Sequence, residues 1–505
     1  LGQSGAPGMA TEIAIRNYGI PYEWPDGVEA AAASFGDTVP QALKEGRKDL
    51  RDLPLVTIDG ADARDFDDAV FARRQNNGWR LIVAIADVAS YVTPGSELDI
   101  EATNRSTSVY FPGRVVPMLP EALSNGLCSL KPGEDRLCLA CEITVSDNGK
   151  VQRSRFVAAL MKSSARLTYG QVAEYYESGV LKHHDDARDI KRNLDDLHSL
   201  YKALRAARER RGAIDFESTE YGFQFDTRGA VAGLVPHERN DAHKLIEECM
   251  ILANVEAAGF LLKRNIPAPF RVHAPPPEAK LEAFTQFLRG QGLKVPWRDQ
   301  PEPRDFETVV KQAQGRSDEH LVMAVMLRSQ SLAAYQPKNE GHFGLALTAY
   351  THFTSPIRRY PDLLVHRAIH TLLKGGKRKG YPYSEDSMSE LCARCSHNSR
   401  RAEEAERDVI DRLKCVYLET RIGEEFSGMV SGVTSFGLFV ELDYGQISGL
   451  VHVTGLPNDY YHFDPVAHRM KGERRGRVFQ LADRIKVRVV AVNLDDRKID
   501  FELVE

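Results

Sequence analysis

Residues 58–70 read IDGADARDFDDAV, and Asp59, Asp62, Asp65, Asp67 and Asp68 crowd into ten positions directly after an apolar run. Like charges at this density repel unless a cation lies among them. An all-oxygen cluster suits magnesium, which keeps several waters and borrows its remaining ligands from carboxylates and a substrate phosphate. Such an ion lowers the pKa of a bound water and neutralises charge on a departing oxygen, and a second ion would clamp both oxygens of an in-line displacement. The chemistry expected is hydrolysis of a phosphodiester. A calcium loop of the EF-hand type is excluded, because no Glu stands twelfth from any of these Asp with Gly sixth. A solvated acidic turn would be preferred for a lone Asp-Asp pair, but not for five Asp behind a strand.

Working outward, the runs LVTID (55–59), WRLIVAIADV (79–88) and RLCLACEITV (136–145) are separated by turn signals and read as strands of one sheet. Helical spacing of Leu194, Leu197, Leu200, Tyr201 and Leu204 predicts a helix over 189–212 that stops at Gly212, and further helices are expected over 240–264 and 388–418. Prolines punctuate the helical stretches between Pro267 and Asp305. Strands and helices mixed through one long region predict a large α/β (α+β) domain and not an alternating βαβ array. After Arg421 the pattern changes to short alternating strands, in GEEFSGMVSGVTSFGLFVEL (423–442), ISGLVHVTGL (447–456) and the run 483–504, which fit a small all-β barrel of the OB type. The expected organisation is residues 1–8 as a cloning scar, 9–54 as a lead-in, 55–420 as the catalytic domain and 421–505 as an OB-fold RNA-binding domain.

Two further blocks carry candidate site residues. LTAYTHFTSPIRRYPDLLVHRAIH (347–370) gathers His352, Thr354, Ser355, Arg358 and Arg359 among its polar residues. Guanidinium forks bind phosphate oxygens bidentately, and hydroxyls position the same groups. Alone, these would be ordinary surface ion pairs; beside an acidic metal site they supply the anion-binding loop that an RNA backbone needs. RSTSVYFPGRVVPMLP (105–120) sets Tyr110 and Phe111 beside two arginines. An aromatic there serves either as core or as a platform on which a base stacks.

Composition narrows the class. At 505 residues, with 42% hydrophobic and 27% charged residues, the chain has the balance of a multi-domain globular protein. No apolar run is long enough to span a bilayer and the start lacks a secretory pattern, so a soluble, cytoplasmic protein without membrane contact is expected. A net charge of −5 gives no global pull on nucleic acid, so RNA contacts must rest on local clusters. Seven cysteines without dense spacing argue for reduced thiols, and a zinc site joining Cys138 and Cys141 to Cys392, Cys395 and His397 is disfavoured.

With these blocks in hand, the chain resembles the exoribonuclease R branch of the ribonuclease II (RNB) family over essentially everything after Met9. The resemblance rests on the D-x5-D-x-D-D order of Asp59, Asp65, Asp67 and Asp68 and on THFTSPIRRYPDLLVHR (351–367). It implies that Asp59, Asp65 and Asp68 hold magnesium, for which manganese can substitute. Asp67 belongs to the same carboxylate set and is the most critical to the chemical step. Tyr110 would stack on the 3′-terminal base and Arg358 would stabilise the reacting phosphate. A second base clamp is sought in YGFQFD, where Phe223 and Phe225 are both candidates, and Phe436, Phe439 and His452 of the barrel are candidate RNA-facing rings with barrel core as the alternative. The family's two N-terminal cold-shock modules and its Lys-rich tail are not in this sequence, which bears on RNA affinity and structured substrates. The resemblance implies a monomeric, processive, sequence-independent 3′→5′ exoribonuclease releasing nucleoside 5′-monophosphates from single-stranded RNA and from duplexes with a 3′ overhang. A catalytically inactive RNA-binding protein and a metal-dependent endonuclease or phosphatase are the competing classes.

Overall fold

Seven strands form the central sheet of the computed structural model, which describes residues 5–183, 187–214, 220–375, 380–457, 459–464 and 469–504. Their order across the sheet is Lys48–Asp49, Val151–Lys162, Asp135–Ser146, Gly78–Ala86, Asp68–Gln75, Val56–Asp59 and Ala165–Thr168. The two outermost pairings are parallel and the inner ones antiparallel. Side chains alternate between two cores: Val70, Val83 and Leu139 face one, while Phe71, Ile82 and Ala140 face the other. A sheet covered on both faces explains why these strands read as near-continuous apolar runs.

The first face is covered by the helices Arg188–Arg211 and Asp241–Leu262, close to where the periodicity put them. Leu194, Leu197, Leu200, Tyr201 and Leu204 are buried there, and the first of these helices ends at Gly212 with φ 76°. Asn193 is the one polar side chain of that helix driven into the sheet. Its Oδ1 accepts the Ala72 N–H at 2.8 Å, and its Nδ2 donates to the Pro54 and Val70 carbonyls at 2.9 and 3.3 Å.

The 35-residue helix Glu385–Glu419, opened by a Ser384–Ser387 capping box, is about 52 Å long. Met388, Cys392 and Cys395 sit in the second core, Ala402, Ala405 and Val409 pack on the helix Met9–Asn17, and Cys415, Tyr417 and Leu418 enter the core of the C-terminal barrel. That barrel closes from Glu425–Thr434, Gly437–Leu442, Ser448–His452, Lys498–Val504 and Arg484–Asn493, as expected for an OB fold.

Two features differ from expectation. The segment 9–54 is no free lead-in: its first helix packs on the long helix and Lys48–Asp49 forms an edge strand, so the sheet begins before Leu55. A separate three-stranded sheet, Tyr461–Asp464, Arg469–Gly472 and Val478–Gln480, interrupts the barrel. As the cysteine spacing suggested, all seven cysteines are buried free thiols, and Cys138 and Cys141, three apart on one strand, face opposite cores.

Removing the Asn193 amide strands a buried N–H and two buried carbonyls, so Asn193→Ala is expected to lower unfolding stability by about 1–3 kcal/mol. A urea titration should show a lower midpoint at an unchanged slope.

Candidate active site

The Val56–Asp59 and Asp68–Gln75 strands are antiparallel neighbours, so the loop 60–67 returns the chain and brings Asp59 and Asp68 to the same end of the sheet. The loop is anchored from beneath. Phe66 is buried, its N–H donates to Ser129 Oγ at 3.0 Å, and that hydroxyl donates to the Arg64 carbonyl at 2.7 Å. Arg166 lies over the Phe66 ring at 5.4 Å and donates to the Ala61 carbonyl.

Asp67 is 5% exposed. Its Oδ1 accepts the Ile357 N–H at 2.9 Å, while its Oδ2 lies 3.5 Å from Arg358 Nε and has no hydrogen-bond partner. Asp68 Oδ2 is likewise buried and unpartnered. Burial pushes the Asp67 carboxyl well above the usual carboxylate range against the pull of Arg358. Burial and the neighbouring Asp59 raise Asp68 to about 7, and burial raises Asp59 as well. Buried carboxylates held this way are short of positive charge. Their orphaned oxygens and all-oxygen chemistry fit a hard divalent cation. Among the described residues no three His, Cys, Asp or Glu side chains form a ready-made metal cage; an ion that keeps several waters and takes ligands from substrate does not require one.

The second block meets the first through Ile357 and Arg358, just ahead of the helix Tyr360–Leu373. Here the structure separates two adjacent arginines. Arg359 turns inward, its Nε and Nη2 donating to the fully buried Asp362 carboxylate at 2.9 and 2.7 Å. The Arg358 side chain is 42% exposed, steadied by Ser355 Oγ at 3.1 Å, and is the guanidinium left open to a phosphate. Thr354 and Ser355 are buried, and Ser355 N–H donates to Asp362 at 2.8 Å. His352 Nδ1 pairs with the Tyr335 hydroxyl at 2.7 Å, and burial pushes its pKa well down. Arg359, Thr354 and His352 thus frame the loop that presents Arg358.

The third block is stitched to the second: Tyr360 N–H donates to the Ser106 carbonyl at 2.9 Å and Ser108 N–H to the Arg358 carbonyl at 3.0 Å. Tyr110 follows, 38% exposed, its hydroxyl donating to Asp65 at 3.0 Å and its N–H to Glu406 of the long helix at 2.7 Å. All of Asp59, Asp65, Asp67, Asp68, Tyr110 and Arg358 therefore come together, as the motifs implied. The YGFQFD candidates lie on one face of their strand with ring centroids 6.4 Å apart, Phe223 packing against the barrel core and Phe225 over Gly113 at the turn of the Tyr110 hairpin. Phe436 and Phe439 are exposed with ring centroids 6.0 Å apart, and His452 is exposed beside them in register, so these rings are surface and not barrel core.

Several residues escaped sequence reading. Tyr169 stacks on His243 at 3.8 Å, and burial together with Asp59 and Asp68 raises its pKa. The signal is its place one residue beyond Thr168, the strand partner of Asp59, and that register is invisible before the sheet is assembled. Arg166, Ser129 and Glu406 act on the loops from distant segments and carry no local motif.

Residues 47–375 match the RNB domain family and residues 419–503 the S1 RNA binding domain. The chain belongs to the RNB family. It is similar to Ribonuclease R of Escherichia coli (strain K12), 51% identical over 517 residues, and of Vibrio parahaemolyticus, 50% identical over 519. Both comparisons cover all of this chain, which spans 63% and 62% of those relatives. Among solved structures, the apo form of Mycoplasma genitalium RNase R superposes with TM-score 0.94 at 29% identity, over 100% of this chain and 79% of that one. The same enzyme's complexes with ribose methylated single-stranded RNA and with double-stranded RNA give TM-scores of 0.93 and 0.88, at 29% and 26% identity, over 100% of this chain and 79% and 84% of theirs.

Two predictions follow from the pairings. Arg359→Ala leaves Asp362 buried and unpaired and should lower stability by about 3 kcal/mol or more, whereas Arg358→Ala should leave it within about 0.5 kcal/mol; urea melts of the two variants check this. In metal-free buffer above pH 7, where the Asp68 carboxyl, raised to about 7, is ionised against burial and Asp59, Asp68→Asn removes that charge and the melting temperature should rise by about 2 °C. The gain fades as the pH falls below 7 and the carboxyl takes up its proton. Added magnesium should then stabilise the intact chain more than the variant in the same scan.

Proposed function

We propose that this chain is a magnesium-dependent 3′→5′ exoribonuclease, with manganese able to replace magnesium, that hydrolyses RNA to nucleoside 5′-monophosphates. The observation that carries this reading is the pair of buried, unpartnered carboxylate oxygens on Asp67 and Asp68, with the part-exposed Arg358 guanidinium 3.5 Å from the first. The family and the likeness to Ribonuclease R support it.

Asp59, Asp65, Asp67 and Asp68 would hold the ion, which when bound lowers the pKa of water and neutralises charge on the leaving oxygen. The chain's own residues supply position. Tyr110, tethered at its hydroxyl by Asp65 and at its backbone by Glu406, presents a ring on which the 3′-terminal base stacks, and so fixes the scissile phosphate relative to the carboxylates. Phe225, over the turn of that hairpin, lines the approach. Arg358 donates to phosphate oxygens as negative charge develops, and Ser355 and Asp67 keep its fork aimed. On the barrel, Phe436, Phe439 and His452 give stacking and hydrogen-bonding surfaces indifferent to base identity, which hold the strand while terminal nucleotides leave. Processive, sequence-independent degradation of single-stranded RNA and of duplexes entered through a 3′ overhang follows, performed by a monomer in the cytoplasm. No helix among the described residues is long and apolar enough to cross a membrane.

The test is digestion of a 5′-labelled single-stranded RNA and a 3′-overhang duplex, with magnesium or EDTA, by the intact chain and Asp67→Asn. Stepwise shortening from the 3′ end to a short limit product is expected, abolished by EDTA and reduced by about 10³-fold or more in the variant with RNA binding retained. Binding without cleavage by the intact chain would leave an RNA-binding protein, and a ladder of internal cuts would mean an endonuclease.

A further inference from the structure

The three-stranded sheet that interrupts the barrel has one face accounted for: Tyr461, Met470 and Phe479 bury into the barrel core. Its other side ends in the turn joining Arg469–Gly472 to Val478–Gln480, where Lys471, Arg474, Arg475 and Arg477 place four cations in seven residues, all exposed. The single carboxylate in that stretch, Glu473, lies 3.5 Å from His462. In a chain of net charge −5 this is a local concentration and no echo of a basic composition.

A solvated charged turn needs no fixed shape, yet this one is held from several directions. The Asp459 carboxylate accepts the N–H groups of Tyr460, Arg474 and Arg475 at 2.8, 2.9 and 2.8 Å. The Glu473 N–H donates to the Tyr460 carbonyl at 2.8 Å, and the Gly472 N–H to the Arg477 carbonyl at 2.8 Å. Gly472 is required, since a Cβ there would stand 2.5 Å from Asp459 Oδ2, and Gly476 has φ 63°. The backbone is thus spent on fixing the tip while Lys471, Arg474 and Arg475 stay exposed and Arg477 lies over the Phe479 ring at 4.9 Å, with Tyr460, 67% exposed, at its base.

We propose that this tip binds the phosphate backbone of the duplex arm of a 3′-overhang RNA, outside the catalytic channel; the proposal rests on the RNA-degrading reading above. Residues 471–477 carry charge and no aromatic ring, and the exposed rings suited to a single strand, Phe436 and Phe439, belong to the barrel and not to this three-stranded sheet. Duplex RNA is recognised by shape and backbone, and closely spaced cations on a fixed turn match that need. Anchoring the duplex while its 3′ strand is drawn inward would hold the substrate between rounds of cleavage.

The experiment measures binding of a fluorescent blunt RNA duplex of about 16 base pairs across a salt series in EDTA, where nothing is cleaved. It compares the intact chain, the pair Arg474→Glu with Arg475→Glu, and the pair Arg474→Lys with Arg475→Lys. Charge reversal is expected to weaken duplex binding about tenfold or more and to make the slope of log affinity against log salt shallower by roughly 2, while the lysine pair stays near the intact chain. Degradation of unstructured single-stranded RNA should be unchanged in both, which also shows that the variants fold. Unchanged duplex affinity overturns the proposal, as does an equal loss of affinity for a single strand of the same length. A chain that binds duplex through this tip yet cleaves no RNA would count against the catalytic reading instead.

Discussion

Asp67 is the constraint on which the rest of the site depends. It is a carboxylate driven into the protein interior, with one oxygen on the Ile357 N–H and the other facing Arg358 across 3.5 Å without a hydrogen bond. Burial disfavours its charge, and so does burial of Asp68 beside it. A fold tolerates such groups only when surrounding structure over-determines them or a ligand compensates them. Here the surroundings are the sheet, which sets Asp59 and Asp68 at one end, and the Ser129–Phe66–Arg166 anchorage, which shapes the loop between them.

The Arg358 loop shows how neighbouring residues divide labour. Arg359 and Asp362 form a buried pair that fixes the backbone, and that backbone then presents both the Ile357 N–H to Asp67 and the Arg358 fork to the open side. Tyr110 is fixed from two directions, by Asp65 within the acidic loop and by Glu406 on the long helix. That helix runs from the second core to the barrel core, so the element that steadies Tyr110 also carries the C-terminal barrel. Rigid elements, not the loops themselves, therefore set the distances at the site.

Much of the site was legible because its residues sit in short, dense blocks. Four signature Asp in ten residues, a Ser-Pro-Ile-Arg-Arg string and an aromatic before a proline each announce chemistry locally. The family resemblance pointed to Arg358 over Arg359, and the structure supplies the physical difference, since only Arg359 meets Asp362; the residue types alone did not separate them. The same holds for Phe223 against Phe225, where the barrel claims one ring, and for Phe436 and Phe439, whose exposure follows from the direction of a strand within a closed barrel. Tyr169, Arg166 and Glu406 gave no local signal because their partners lie on other segments.

By itself the sequence determined the fold class, the boundary near residue 420 between a mixed α/β domain and a small barrel, and the identity of the acidic set, because periodicity and motif spacing are local properties of the chain. Only the tertiary structure decided that residues 9–54 belong to the packed body, that Lys48–Asp49 extends the sheet, that Cys138 and Cys141 face different cores, and that a clamped basic tip projects from the barrel. Those outcomes depend on which distant segments bury one another's apolar faces and satisfy one another's polar groups, and pairing between distant segments leaves no period in the sequence.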